Sequence, residues 1–309
     1  MSIRPLPPAL AEKARVELNE DPKRLKDDLQ SIKDWIAKQP HLNARTDNQW
    51  LVAFLRGCKY SLERTKEKLD NYYSMRTTVP ELERIKYSDP LFDEVLSLGV
   101  SVILPNTSGP DGRRINLMRP GKYDPNKYNI MDIMSVNYTL IKILLVDDDH
   151  MTVSGIESIG DMEGLSLGHF LQMTPVVIKK LVAAGQDAAP LRIKGTHYLN
   201  TPAGFEKVYN LMKSFLNEKN RNRLYIYNNK NYDAMYKYIP KEILPAEYGG
   251  NGGSIEEIID YWRSKVKEYS AWLEEDFKYK TDESKRPGKP KTAEDMFGVE
   301  GSFRQLEFD

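Results

Sequence analysis

The stretch that decides the fold runs from residue 161 to residue 250. It opens with Asp161-Met162-Glu163-Gly164 and passes through Arg192-Ile193-Lys194-Gly195-Thr196-His197-Tyr198-Leu199-Asn200-Thr201-Pro202. It closes on Leu244-Pro245-Ala246-Glu247-Tyr248-Gly249-Gly250. Between the Asn-Thr-Pro turn and the next strand, Phe205, Val208, Tyr209, Met212, Phe215 and Leu216 recur at the spacing of one helix face. A strand, a turn, an apolar-faced helix, a second strand and a Gly-Gly stop describe a sheet roofed by one helix.

Working outward, strands are expected at 100–104 and 114–118, joined by Gly109-Pro110-Asp111-Gly112, and again at 151–159, 192–199 and 224–227. Helices are expected at 133–146, apolar nearly all round and therefore buried on several sides, and at 169–184, 205–216 and 254–277. Alternating strands and helices give an α/β layered domain. Residues 1–90 read differently. Leu25, Leu29, Ile32 and Ile36 keep helical spacing, as do Trp50, Leu51, Phe54 and Leu55 and then Leu62, Leu69, Tyr72 and Tyr73, so this part is an all-helical module. The chain thus divides into a helical module at 1–90, an α/β domain at 91–253, and a C-terminal helix with a basic tail at 254–309. Residues 278–291 carry six basic and two acidic side chains plus Pro287 and Pro290, without periodicity, and read as a mobile or surface-clinging segment.

Composition limits the function. With 45 basic and 45 acidic residues, overall charge points to no polyanionic partner, nucleic acid included. The single cysteine, Cys58, suits a reducing compartment. The N-terminus lacks the apolar run of a signal peptide, and apolar stretches such as 143–146 are far too short to span a bilayer. The expectation is a soluble cytoplasmic protein. The four histidines, His41, His150, His169 and His197, fall in no triad or zinc spacing. Asp147-Asp148-Asp149-His150 lacks the glycine and distant glutamate of a calcium loop and reads as a solvated acidic loop. No nucleotide-binding glycine fingerprint occurs. Neither catalysis nor a cofactor is expected.

Asp-x-Glu-Gly, Gly-x-His-x-x-Asn-x-Pro and Leu-Pro-x-Glu-Tyr-Gly-Gly, in this order, resemble the CRAL-TRIO family of lipid-binding proteins, and the resemblance extends over roughly residues 25–250. It implies a helical N-terminal module beside an α/β sandwich in which a mobile lid helix covers an apolar cavity. The family's known ligands include tocopherols, retinoids and phospholipids; carotenoids suit the same chemistry. The resemblance places Asn137, Ile156, Leu165, Leu167, Met173, Leu181 and Leu191 on the cavity wall, and Phe205, Val208, Tyr209, Met212, Phe215 and Leu216 on the lid, hinged at Asn200-Thr201-Pro202. Two wall positions that are aromatic in tocopherol carriers are Gly160 and Ala189 here, which implies a roomier cavity, and Asn137 is the expected partner for a hydroxyl or carbonyl of the cargo.

Basic residues form a second constellation. Arg192 and Lys194 share strand parity, and Lys219 and Arg223 are four apart just past the lid. In tocopherol-carrying members, basic residues at these positions hold phosphoinositide phosphates, and all four positions are basic here. A Phe-Leu-Arg-x-Arg motif of the first domain is altered: Phe54-Leu55-Arg56-Gly57-Cys58-Lys59 has Cys58 at the second arginine. The resemblance therefore implies a carrier of one hydrophobic molecule that contacts membranes transiently through anionic lipids. A lipid-gated adaptor that recruits a protein partner without delivering cargo is the alternative.

Overall fold

The structure, a computed structural model, describes residues 3–227 and 232–298. The helical module begins with α1 (Pro8–Leu18) and α2 (Leu25–Ala37). A two-residue strand β1 (Leu42–Asn43) follows, then α3 (Asn48–Gly57) and α4 (Leu62–Thr78). Its centre is Trp50. The indole Nε1 donates to the Tyr73 hydroxyl at 3.0 Å, and Phe54 and Tyr72 meet the ring edge-on. Spacing explains the packing: Leu29, Ile32 and Ile36 on α2, and Leu69, Tyr72 and Tyr73 on α4, fall on single stripes, and all are buried.

Helix α5 (Pro90–Ser97) leads into the second unit. Strands β2 (Ser101–Ile103) and β3 (Arg114–Met118) pair antiparallel. Then follow α6 (Ile130–Asp147), β4 (Ile156–Asp161), α7 (Leu167–Gln172), α8 (Pro175–Ala183) and β5 (Ile193–Leu199). Helices α9 (Phe205–Phe215) and α10 (Glu218–Arg221) lead to β6 (Leu224–Tyr227). The sheet order is β2-β3-β4-β5-β6, with β3 to β6 parallel. Alternation gives the sheet two faces. Met118, Gly160 and Tyr198 lie in register on one; Leu117, Ile159 and Leu199 stand on the other and are fully buried. After α11 (Asp233–Tyr236) the chain forms α12 (Ile255–Glu268), α13 (Ser270–Asp276), β7 (Lys280–Thr281) and α14 (Ala293–Phe297).

Five expectations are revised. The strand expected from 151 begins at Ile156; His150–Ser154 winds as a π-helical turn that Gly155 ends at φ 94. The helix expected at 169–184 is two, because Pro175 cannot continue a helix, and the Thr174 side chain caps the second by accepting from the Val177 N–H. The helix expected at 254–277 breaks at Tyr269. The basic tail is anchored as far as Phe297: β7 pairs with β1, Arg286 and Lys291 both meet Asp70 (2.9 and 2.6 Å), and Phe297 is buried. Residues 299–309 lie outside the described residues. The Asp147-Asp148-Asp149 run is not a solvated loop either. Asp148 and Asp149 are buried and paired with Arg114 (2.6 Å) and Arg56 (2.9 Å).

A buried charge cluster joins the units. Asp276 is fully buried, with Arg76 at 2.9 Å, Lys142 at 3.1 Å and Arg45 at 3.6 Å; Glu83 supplies a second carboxylate to Lys142 (2.8 Å) and Arg76 (3.0 Å). Burial disfavours the Asp276 charge, but Lys142 and Arg76 outweigh it and hold the carboxyl below the ordinary carboxylate range. Asp276→Asn leaves the same shape with one anion fewer among three buried cations. It should cost about 3–5 kcal/mol in urea unfolding; a loss under ~1 kcal/mol would show that the cluster does not hold the units together.

Candidate binding cavity and cation cluster

Beneath α9 lies a cavity of about 370 Å³, within the range of pockets that hold one small molecule. Its floor is the sheet face carrying Ser158, Gly160, Thr196 and Tyr198; its roof is Phe205, Val208, Tyr209 and Met212 of α9. Phe170, Met173 and Leu181 close one side, and Ile130 and Met134 of α6 another. Among the described residues, no Lys, Arg, Asp or Glu stands on its wall. His169 is on the wall but committed: Nδ1 accepts from the Ser166 N–H (3.1 Å), and Nε2 lies 3.0 Å from the Tyr123 carbonyl.

Of the residues expected on the wall, Leu165, Met173 and Leu181 are there. Asn137 is buried elsewhere, its Nδ2 donating to Ser101 Oγ at 2.6 Å, so its amide is spent within the protein. Ile156 is part of the main core. Leu167 points outward and is 56% exposed. Leu191 borders the cation-lined recess described below. Of the expected roof residues, Phe205, Val208, Tyr209 and Met212 face the cavity. Phe215 packs beside Val182 towards Met75 and Phe297, and half-buried Leu216 ends the helix. The space expected at Gly160 is occupied. A Cβ there would lie 2.6 Å from Met162 Cε and 3.1 Å from Tyr198 Cδ1, so Met162 takes the room of a ring. Ala189 is buried away from the cavity.

The base of α9 is fixed by one carboxylate. Asp161 Oδ1 accepts from Asn200 Nδ2 (2.8 Å) and from the Glu163 N–H (3.1 Å), and its Oδ2 accepts from the Tyr248 hydroxyl (2.6 Å). Asn200 takes φ 52, a left-handed conformation that asparagine tolerates, and its Oδ1 accepts from Tyr232. The three motifs that define the sequence thus converge on one knot.

The basic residues gather where the helical module meets the sheet edge. Gly57 makes the approach possible, because a Cβ there would stand 2.5 Å from the Pro190 carbonyl. A recess of about 400 Å³ is lined by Arg64, Glu67 and Lys68 of α4, by Asp187, and by Asn217, Lys219 and Asn220. Burial pushes the Lys219 ammonium down, and Arg223, Lys59, Arg192 and Arg64 push it further. Lys194 is depressed to about 8 by burial and then by Arg192. Arg223 donates to the Ile193 carbonyl. Glu17 of α1 reaches into this group and meets both Arg192 (2.8 Å) and Lys194 (3.3 Å), a contact without a signal in the sequence. Arg56 belongs elsewhere: it is buried between Glu20 and Asp149, both at 2.9 Å. No group of three or more potential metal ligands occurs among the described residues, and no described helix is long and apolar enough to cross a membrane.

A model of the CRAL/TRIO domain matches residues 99–250, the unit that holds the cavity, and a model of the Pinta-like UBA domain matches residues 21–84. The chain is 34% identical over 249 residues to the human (Homo sapiens) alpha-tocopherol transfer protein-like, covering 80% of this chain and 71% of that one. It is 30% identical over 247 residues to clavesin-1 of Rattus norvegicus, covering 79% and 69%. The chain belongs to the CRAL/TRIO family. The crystal structure of Sfh5 superposes with a TM-score of 0.54 over 80% of this chain and 90% of that one; at 15% identity it shows the shared fold.

The two small residues separate cleanly by substitution. Gly160→Phe must drive Met162 aside and fill part of the cavity, so ligand competition should shift towards shorter ligands. Ala189→Phe should overpack the interior by about 1–3 kcal/mol and leave ligand preference unchanged. A preference shift with Ala189→Phe alone would reverse the two assignments.

Proposed function

We propose that this protein carries one apolar lipid in the cavity beneath α9 and delivers it to membranes, with α9 as the lid and the cation cluster as the contact for phosphoinositide headgroups. The observation that carries the reading is a charge-free cavity roofed by a single helix whose entry turn is held by Asp161. Opening such a helix exposes Phe205, Val208 and Met212 together, an apolar face suited to a bilayer interface. Leu167 and Leu171, 56% and 58% exposed on α7, already offer apolar contact beside Phe170, which packs in the cluster of Phe205 and Val208. The name of the relative in Homo sapiens, a transfer protein-like chain, supports delivery rather than catalysis.

Anionic phosphates suit the cation cluster because burial and, after it, neighbouring like charges depress Lys194 and Lys219, and a bound anion offsets that repulsion. Phosphate contacts stronger with the lid open than closed would couple membrane arrival to release. Fluorescent-lipid transfer between vesicles, at near-physiological salt, tests the reading. Lys219→Glu with Arg223→Glu should lower transfer to phosphoinositide vesicles about tenfold while ligand affinity stays unchanged. Unaltered transfer would remove the headgroup role. Binding of lipid without transfer to any vesicle would favour the adaptor.

Glu17 makes a second prediction with the opposite sign. As an internal anion it occupies Arg192 and Lys194, so Glu17→Gln should tighten phosphoinositide vesicle binding several-fold. With Lys194 titrating near 8, vesicle binding should weaken as pH rises from 7 to 9, since the ammonium loses its charge over that window. Both are read by vesicle co-sedimentation, and a Glu17→Gln variant that binds no better shows that Glu17 does not compete.

A further inference from the structure

The cavity floor carries one polar row across its central strands. Asn116 on β3, Ser158 on β4 and Thr196 on β5 are in register across three strands, and alternation puts all three on the face that carries Met118, Gly160 and Tyr198. Ser158 and Thr196 line the cavity. The two hydroxyls have no hydrogen-bond partner among the described residues, and Asn116 Oδ1 is buried without one. The other hydrogen-bonding side chains on the same wall are differently placed: His169 is bonded at both ring nitrogens, Tyr123 donates to Gln172, Tyr198 approaches Met212 Sδ at 3.3 Å, and Tyr209 is on the roof.

We infer that Ser158 and Thr196, backed by Asn116, read the polar end of the cargo, and that this end is a single uncharged hydroxyl or carbonyl. The inference rests on the carrier reading above and narrows it. A hydroxyl can both donate and accept, and so can the side chains of Ser158 and Thr196, so an alcohol or a carbonyl finds a complement on the floor. The same hydroxyls can donate to a carboxylate or phosphate, but among the described residues the wall offers no cation to balance its charge, and both His169 nitrogens are engaged. Burying an unpaired anion there is far more costly than burying a neutral polar group. A pure hydrocarbon would leave the row unsatisfied. The cargo class is therefore a neutral lipid with one hydrogen-bonding terminus and an apolar body. This moves the polar contact from Asn137, whose amide is already bonded to Ser101, to the centre of the sheet.

A matched set with one skeleton tests it: phytane, phytol and phytanic acid, measured for equilibrium binding to the full chain at pH 7.5. Phytol should bind about tenfold more tightly than phytane, and phytanic acid most weakly. Thr196→Val with Ser158→Ala should remove the advantage of phytol and leave phytane unchanged, with the thermal melt confirming that the variant folds. Phytane binding as tightly as phytol to the unaltered protein overturns the inference but leaves the carrier reading intact, and that comparison needs no variant. Phytanic acid binding most tightly also overturns it. If no member of the series and no phospholipid binds, both fail together.

Discussion

The Asp161 carboxylate is the constraint on which the binding unit depends. It ends the central strand β4, and its two oxygens accept from the backbone after β4, from Asn200 after β5 and from Tyr248 near the Gly-Gly stop. Those three donors lie far apart in sequence, so one side chain ties the ends of neighbouring strands to the turn from which α9 departs. The roof is held at its N-terminal root. Along its length it meets the cavity through Phe205, Val208, Tyr209 and Met212 alone. Past its C-terminal end a second, lighter tie follows, where Gln186 Oε1 accepts from the Asn217 N–H at 2.9 Å and from Asn220 Nδ2 at 3.1 Å.

A different logic holds the two units together. Their junction is charged: Asp276 and Glu83 sit among Arg45, Arg76 and Lys142, and Arg56 bridges Glu20 and Asp149. Buried ion pairs are poor sources of net stability but strict about geometry, since a misplaced partner leaves a charge uncompensated. That strictness matters for the cation cluster, which is assembled from both units. Arg64 and Lys68 come from the helical module, Arg192 and Lys194 from β5, and Glu17 from α1. The N-terminal module thus contributes both charge and counter-charge to a surface whose sequence signature lies wholly in the second unit.

The architecture was legible because it rests on local periodicity. The strands at 114–118 and 224–227 and the helix from Phe205 fall where alternation and helical spacing put them. Element ends were less legible where backbone geometry overrides hydrophobicity: Met151 and Val153 read as strand, yet Gly155 and the π-helical turn before it delay β4 to Ile156. Side-chain destinations were least legible. Leu165, Met173 and Leu181 face the cavity, whereas Leu167 turns outward because a six-residue helix presents its other side, Phe170, to the interior. Asn137 is diverted by a hydrogen bond with Ser101, and Glu17 lies on a helix with no motif. Such pairings join residues far apart in the chain, and neither composition nor spacing records them. The basic segment after residue 278 illustrates the same point, since Arg286 and Lys291 pair with Asp70 of the helical module, beside the place where β7 pairs with β1.

Five of the chain's eleven methionines, Met118, Met134, Met162, Met173 and Met212, stand on the cavity wall. Thioethers make that wall supple, because an unbranched, polarizable side chain adapts to irregular contours. They also make it oxidisable. A peroxide reaching the interior converts a methionine into a sulfoxide, a strong dipole where the enclosure was apolar. Met162 fills the space beside Gly160 and Met212 lies against the Tyr198 hydroxyl, so oxidation at either would reshape floor and roof together. The redox history of the molecule is thereby written into the shape of its interior.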